Sequence, residues 1–259
     1  NILPHEKVFP NDRKARQELI SASDVIICFD QKVKDELAES FEAKNISVIE
    51  PAEPVIISDK PAQVTRAELG IKEGSVHFVA LGHVREYKGA DTLLKAAIAA
   101  RISGHITVAG SAGEPEFMEQ LSDLKNELVE HEIEHSLLFK FLSENEFGNL
   151  MWAADFLVCP FRRIANSGIV NNAMELGIPL ILPNLPSLNW VPRESALWYD
   201  SQNEVTSLAK ALSKALELSA ADIEAMSISS KNYMKDRSWD NYVSRHIETY
   251  RKLVPLLKG

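Results

Sequence analysis

Two basic side chains, Arg85 and Lys88, lie three residues apart in a short stretch bounded by Gly82 and Gly89. The preceding residues, 76–81, form an apolar run typical of a buried strand, so the stretch falls at a strand's carboxyl end. Glycines let the backbone turn closely, and two cations at this spacing can converge on one anion. The pattern predicts a site for a diphosphate, with two solvated charges in a surface loop as the alternative.

A second candidate for anion binding is the start of the helix that follows residues 156–160, which read as a buried strand. Ser167 and Gly168 open this helix, and Gly177 closes it. Backbone amides at a helix start suit an anion, and open α/β sheets bind ligands at the carboxyl ends of their strands. Ser167 lacks the preceding glycine of a nucleophile elbow, so we expect it to cap the helix rather than attack a substrate.

Two further motifs could bind a ligand or a metal ion, but each also has an ordinary structural interpretation. Gly110 follows the predicted strand at 105–109 and could approach the same ligand, although such a stretch is also a common strand-to-helix turn. His131, Glu132 and His135 match the H-E-x-x-H pattern of zinc peptidases. They end a charged helix with no obvious third ligand, so we interpret them as part of a solvated face.

The elements that would position these motifs alternate between apolar strands and amphipathic helices. A linker with three prolines at 50–61 separates a short early series from a longer regular one. The alternation predicts an α/β fold with a parallel sheet covered on both faces. The predicted strands are 24–28, 46–49, 76–81, 105–109, 137–141, 155–159, 179–182 and 196–199, and the predicted helices are 11–21, 31–41, 90–101, 115–130, 144–152, the one opened by Ser167, 203–217, 221–234 and 239–257.

Composition indicates an acidic globular protein. The 259 residues are 45% hydrophobic, which suffices for a core, and the net charge of -9 argues against nucleic acid as a partner. Cys28 and Cys159 lie in apolar runs, so we expect buried cysteines, no disulfide and a reducing compartment. No stretch reaches the roughly 20 apolar residues that cross a bilayer. The chain starts at Asn1 without a signal-like opening, and we expect part of the natural chain to be missing.

Together these motifs resemble the retaining glycosyltransferases of family 4, which have the GT-B fold of two Rossmann-like domains facing a cleft. The resemblance covers about residues 20–255 and rests on the order and spacing of the stretches at 82–89, 106–110, 154–160 and 167–179. It implies one Rossmann-like parallel sheet domain and a partial second one. The implied division is a remnant of the acceptor-side domain at 1–54, a donor-binding domain at 55–235 and a C-terminal helix at 236–259 that crosses back to the first domain.

The resemblance also implies a nucleoside-diphosphate sugar as donor, carrying UDP or GDP, with no metal and no cofactor. Arg85 and Lys88 would be the catalytic groups that neutralise the diphosphate. Amides at the helix start would bind its distal phosphate, and the segment with Phe141 and Leu142 would meet the base. His5 loosely matches an acceptor-side histidine, with an ordinary loop histidine as the alternative. The implied donor-binding residues are Gly82, His83, Gly110, Phe141, Leu142, Asn166, Ser167, Gly168, Ile169, Val170 and Asn172.

The chain departs from the family at two positions that usually carry glutamates. Ile164 stands at the first, near the donor sugar, and Asn172 stands at the second, near the ribose. Asn172 can still hydrogen-bond a ribose hydroxyl, whereas Ile164 cannot bond a sugar, so a neighbour such as Asn166 would have to substitute. Glu175 could compensate from the same helix, with a solvated surface glutamate as the alternative.

From this resemblance we expect a metal-independent, hexosyltransferase-like enzyme that moves a sugar to a glycan, lipid-linked or small-molecule acceptor with retention of configuration. We expect it in the cytoplasm, with a peripheral contact at the inner membrane surface as a further option. The altered glutamate positions motivate one alternative, a non-catalytic GT-B subunit that binds nucleotide and supports a partner transferase. A nucleotide-sugar epimerase or hydrolase on the same fold is another.

Overall fold

By its contacts the chain divides into two units, one of residues 54–234 and the other of residues 1–53 and 235–259. The larger unit contains every motif singled out above except His5. The computed structural model describes residues 11–29, 31–50, 52, 56–164 and 167–253.

The described residues of the smaller unit include a short helix–strand–helix–strand series. Its two strands pair in parallel, with Ile26 opposite Ile46, as the predicted alternation requires. Ile20 and Leu37, one from each helix, are buried with Ile26 in one apolar cluster. The elements are α1 Asp12–Ser21, β1 Ile26–Cys28, α2 Gln31–Phe41 and β2 Ile46–Val48.

The larger unit is built on a single sheet of six parallel strands. Among the described residues, one helix precedes the sheet, one follows each of its first four strands in chain order, two follow the last strand, and a final helix belongs to the smaller unit. The strands are β3 His77–Leu81, β4 His105–Ala109, β5 His135–Leu138, β6 Phe156–Val158, β7 Leu180–Pro183 and β8 Ala196–Tyr199. The helices are α3 Ala62–Glu68, α4 Ala90–Ala100, α5 Pro115–Glu130, α6 Glu144–Trp152, α7 Gly168–Leu176, α8 Glu204–Glu217, α9 Ala220–Met234 and α10 Trp239–Leu253.

Helices cover both faces of this sheet. Phe78 of β3 belongs to a buried apolar cluster with Leu94 of α4 and Leu208 of α8. The next residue, Val79, belongs to a separate cluster with Met174 of α7. Successive side chains of a strand point to opposite faces, so the two clusters lie on opposite sides of the sheet. The predicted parallel sheet with two covered faces is therefore confirmed.

The strand order reverses next to β3. The sheet has the order β5-β4-β3-β6-β7-β8, so the chain runs outward from β3 through β4 to β5 and then returns to the other side of β3. Phe78 pairs with Phe156 across β3 and β6. The carboxyl ends of these two strands flank a topological switch point, where doubly wound sheets leave a crevice for a ligand.

Two predictions about the elements are wrong. Strand β5 ends at Leu138, whereas the predicted strand runs from 137 to 141. Its neighbour β4 ends at Ala109, where Gly110 turns away, so β5 has no strand to pair with beyond Leu138. Helix α3 is missing from the predicted elements because its seven residues carry no apolar periodicity.

Candidate functional site

The loops after β3 and β4 touch each other at Gly82 and Gly110. The N–H of Gly82 donates to the carbonyl oxygen of Ala109 over 3.0 Å. Gly110 has a φ of +147°, and a Cβ atom there would lie 1.9 Å from the carbonyl oxygen of Gly82, so only glycine allows this approach. The two glycine-containing motifs of the sequence therefore lie side by side at one edge of the sheet.

The first turn of α7 meets the same edge. A Cβ atom on Gly82 would lie 3.0 Å from Cδ1 of Ile169. Ser167 is the N-cap, and its Oγ accepts a hydrogen bond from the N–H of Val170 over 3.4 Å, which confirms the predicted capping role. The first turn of α7 contains no acidic residue, so its amides and the helix dipole leave a partial positive charge that favours an anion.

Arg85 and Lys88 lie in the loop that starts at Gly82, and both side chains are half-buried. A 3-10 turn at Glu86–Lys88 follows Arg85. Nζ of Lys88 lies 4.6 Å from the centre of the Phe161 ring. Burial lowers the pKa of Lys88, and the charge of Arg85 adds to the lowering. A bound anion would offset both effects, so this pair of cations favours a phosphate ligand.

Arg162, in the segment after β6, binds both this loop and the first turn of α4. Nη2 of Arg162 lies 2.7 Å from Oδ2 of Asp91 in the first turn of α4, and Nη1 donates to the carbonyl oxygen of Glu86 over 2.7 Å. Burial alone would raise the pKa of Asp91, but the hydrogen bonds and charges of Arg162 and Lys95 together outweigh burial and lower it. In the sequence, Asp91 is recognisable only as an acidic residue at the start of a predicted helix. Nothing in the sequence pairs it with an arginine 71 positions away.

The loop between β5 and α6 contains the two residues predicted to meet a nucleotide base. Phe141 is 81% exposed, and Leu142 is half-buried. Ser143 and Glu146 form a capping box that fixes the start of α6 directly after them. The loop therefore holds an exposed aromatic ring close to the carboxyl end of β5.

Ile164 and Asn172, at the two departures from the glutamate pattern, have different surroundings. Ile164 packs against the apolar cluster that contains Val79, so its side chain offers a ligand no polar group. Asn172 is 8% exposed, and its Oδ1 has no hydrogen-bond partner among the described residues. A buried oxygen left in this state costs about 1–3 kcal/mol, so a ligand that donates a hydrogen bond to it is favoured. Glu175 is exposed.

His83 is exposed in the loop after β3. His5 and Asn166 lie outside the described residues. Helix α5 ends before His131, so His131 and His135 do not share the helical face that the zinc-peptidase pattern requires. Within the described ranges, no group of three or more His, Cys, Asp or Glu side chains could hold a metal ion.

Cys28 and Cys159 are both buried, as their apolar surroundings predict. In the part of the chain that the structure describes, no helix is long and apolar enough to span a membrane.

Six parallel strands in this order, with a glycine-bounded loop and a capped helix at the switch point, define a doubly wound unit of the Rossmann-like type. The chain belongs to the family described as glycosyl transferases group 1, whose sequence model matches residues 62–233. The matched residues include β3, the loop with Arg85 and Lys88, and α7. A comparison with curated protein sequences gave no match.

Solved structures with the GT-B fold are similar to the chain. Sucrose-phosphate synthase from Thermosynechococcus elongatus has a TM-score of 0.76 and 17% identity, over 95% of this chain and 62% of that one. A glycosyltransferase from Rickettsia africae has a TM-score of 0.78 and 12% identity, over 96% and 68%. Anabaena HepE in complex with UDP and glucose has a TM-score of 0.76 and 14% identity, over 95% and 67%.

These likenesses confirm the predicted fold class, an α/β protein of the GT-B type with a Rossmann-like parallel sheet and a partial second Rossmann-like domain. The chain spans between 62% and 68% of the length of the three similar chains. At 12–17% identity the likeness concerns the fold.

Proposed function

We propose that the larger unit binds a nucleoside-diphosphate sugar and that the protein transfers the sugar to an acceptor with retention of configuration. Family membership supports glycosyl transfer, and the resemblance to family 4 supports retention. The observation that carries the proposal is the meeting of Gly82, Gly110 and Ile169 at the switch point. The two half-buried cations Arg85 and Lys88 lie in the loop that starts there.

The diphosphate is the leaving group of the proposed reaction. When the bond between the anomeric carbon and the phosphate oxygen breaks, negative charge builds up on the departing diphosphate. Arg85, Lys88 and the amides at the start of α7 would stabilise that charge more strongly in the transition state than in the bound donor. These protein groups provide the positive charge, so the proposed hexosyl transfer needs no metal ion.

The other donor contacts are the ones that the resemblance to family 4 implies. Phe141 and Leu142 would contact the base, and Asn172 would bond a ribose hydroxyl. Asn166 and His5 keep their predicted roles toward the donor sugar and the acceptor. Anabaena HepE in complex with UDP-glucose supports a UDP-sugar as the first donor to test, followed by a GDP-sugar. A cytoplasmic location with a peripheral membrane contact belongs to the same proposal.

A non-catalytic subunit that binds nucleotide is the second candidate function. Ile164 favours it, because an apolar side chain packed against the core replaces the group expected near the donor sugar. Such a protein would keep the diphosphate contacts and stabilise a partner transferase.

A donor panel tests both functions. We expect calorimetry with the full-length protein to detect binding of UDP or GDP and of the corresponding sugars. If none of them binds, both functions are wrong. If nucleotide binds but neither transfer nor slow donor hydrolysis occurs, the non-catalytic function is supported. Where transfer occurs, NMR of the product's anomeric centre tests retention, and activity that persists in EDTA tests metal independence.

A further inference from the structure

The segment after β6 lies directly against the loop that carries Arg85 and Lys88. A Cβ atom on Gly89 would lie 1.8 Å from the carbonyl oxygen of Pro160, and the φ of Gly89 is +71°, so only glycine permits this approach. The ring of Phe161 is 3% exposed, and its centre lies 4.6 Å from the ammonium group of Lys88. The shape of the loop is therefore set by neighbours that follow a different strand.

Arg162 makes polar contacts across the junction between this loop and the segment after β6. Its N–H donates to the carbonyl oxygen of Tyr87 over 2.9 Å, and its Nη1 donates to that of Glu86 over 2.7 Å. Its Nη2 lies 2.7 Å from Oδ2 of Asp91 and 3.1 Å from Oγ1 of Thr92. One residue thus binds both the backbone of the 3-10 turn and the first turn of the helix that follows it.

The guanidinium of Arg162 is engaged by protein groups on all three of its nitrogens. In addition to the contacts of Nη1 and Nη2, its Nε donates to Oε1 of Glu204 over 3.4 Å. The side chain of Asp91, its nearest carboxylate partner, is 3% exposed. This distribution of partners suits a group that holds two segments together better than one that binds a substrate.

We propose that Arg162 is a positioning residue of the diphosphate site, which fixes the turn between Arg85 and Lys88 against the segment after β6 so that both cations are in place before the ligand arrives. The inference rests on the proposed function, because it takes these cations to be the diphosphate ligands. Pre-positioned groups lose less entropy on binding, so a loosened loop would weaken the contact with the diphosphate.

Hydrogen exchange of the ligand-free, full-length protein tests whether Arg162 holds the loop. We expect Arg162→Gln to raise amide exchange about tenfold over residues 85–89, because the turn loses its contact with the guanidinium. Asp91 keeps Lys95 at 3.1 Å in this variant, so its buried carboxylate retains a cation. Arg162→Lys should give an intermediate rate, since one ammonium group cannot reach all of the guanidinium's partners.

Arg66→Gln is the matched control. Arg66 also binds a carboxylate and a backbone carbonyl, with Nη1 at 2.9 Å from Oδ2 of Asp155 and 3.0 Å from the carbonyl oxygen of Ala153. These contacts lie before the amino end of β6, at the opposite edge of the sheet. The control should therefore leave exchange over residues 85–89 unchanged.

Calorimetry with UDP and uridine, and with GDP and guanosine, tests the link to the ligand. For the pair that binds, Arg162→Gln should weaken the diphosphate about tenfold and the nucleoside less than about twofold. Arg162→Lys should recover part of the loss. In a Lys88→Ala background, Arg162→Gln should reduce the affinity for the diphosphate by a smaller factor than it does alone, because the two residues act through one contact.

Unchanged exchange over residues 85–89 in Arg162→Gln would overturn the proposal, as would equal losses of affinity for diphosphate and nucleoside. If the unaltered protein binds neither UDP nor GDP, the proposed function fails and the role of Arg162 in a diphosphate site fails with it. The exchange measurement then still decides whether Arg162 holds the loop.

Discussion

The carbonyl oxygen of Gly82 fills the space that a side chain on Gly110 would occupy. This contact joins the ends of β3 and β4, whose last paired residues are Leu81 and Ala109. Any residue larger than glycine at position 110 must push the two loops apart. The stability of the sheet edge and the geometry of the proposed site therefore depend on the same pair of residues.

Gly110→Ala should destabilise the protein by about 3 kcal/mol, because the new Cβ combines backbone strain with overpacking. Denaturant unfolding measures this loss. Gly74→Ala is the control, since Gly74 also has a positive φ of +79° but nothing lies within 4 Å of its Cβ position. The control should lose about 1 kcal/mol. Equal losses of unfolding free energy in the two variants would show that the clash of the new Cβ with Gly82 does not destabilise the protein.

Arg85→Ala and Lys88→Ala should each weaken binding of a nucleoside diphosphate by about 10-fold to 100-fold, as expected for a hydrogen bond to a charged group. Binding of the nucleoside alone should change less than about twofold, because it lacks the phosphates. Calorimetry with both ligands makes the comparison. Lys125→Ala, which changes an exposed lysine of α5, is the control and should alter neither affinity. Equal losses for both ligands would exclude the proposed role.

Asn172→Ala should weaken nucleotide binding by about 3-fold to 10-fold and cost little stability in the absence of ligand. The physical reason is that Oδ1 of Asn172 has no partner among the described residues, so the ligand-free protein loses no hydrogen bond from this oxygen. Titration with nucleotide and denaturant unfolding measure the two effects.

Asn149→Ala is the control for this variant. Oδ1 of Asn149 accepts from Oγ of Ser58 over 2.7 Å and from the N–H of Asp59 over 3.1 Å. Its removal should reduce stability by about 2 kcal/mol and leave nucleotide affinity unchanged. A stability loss of the same size in Asn172→Ala, without any change in affinity, would argue for a structural role of Asn172.

His77 should make the protein less stable in acid. Its ring nitrogens lie 2.8 Å from the carbonyl oxygen of Ala153 and 2.7 Å from Oγ1 of Thr107, and burial lowers its pKa from 6.5 to about 4. Between these values the unfolded chain binds more protons than the folded one, so stability is full above pH 6.5 and falls as the pH falls. The loss approaches about 3 kcal/mol near pH 4.

Denaturant unfolding from pH 7 to 4 measures this effect. His77→Gln should flatten the dependence of the unfolding free energy on pH. His131→Gln, at an exposed position after α5, should keep the slope of the unaltered protein. The prediction fails if both variants keep that slope.

The sequence predicted the sheet well because its local signals agree. An apolar run as short as the one at Phe156–Val158 indicates an internal strand. Ser167 and Gly177 cap the two ends of α7, and residues of these types are recognisable as helix caps in a single sequence. The end of β5 was misplaced because it is set by its neighbour Ala109 rather than by its own residues. Helix α3 lacks a periodic apolar face and is fixed by contacts such as that of Arg66 with Asp155.

The site could be predicted only in part, for a similar reason. Glycines and cations at strand ends predict an anion site from local order, and the structure brings Gly82, Gly110 and Ile169 together. The contact between Arg162 and Asp91 joins residues 71 positions apart, and no local pattern encodes it. Sequence reasoning therefore finds candidate ligand-binding groups more readily than the residues that hold them in place.

The junction around Arg162 has a further consequence for the electric field at the site. Arg162 and Lys95 carry two positive charges, and their partners Asp91 and Glu204 carry two negative ones. The four charges cancel, so the junction holds two loops together without adding a net attraction for anions. The attraction of the site for a diphosphate then comes from Arg85, Lys88 and the start of α7, together with Arg163, whose guanidinium lies 5.7 Å from the centre of the Tyr87 ring in the same loop. Added salt should therefore slow the association of the diphosphate with the site. The two loops should stay held together by the contacts of Arg162.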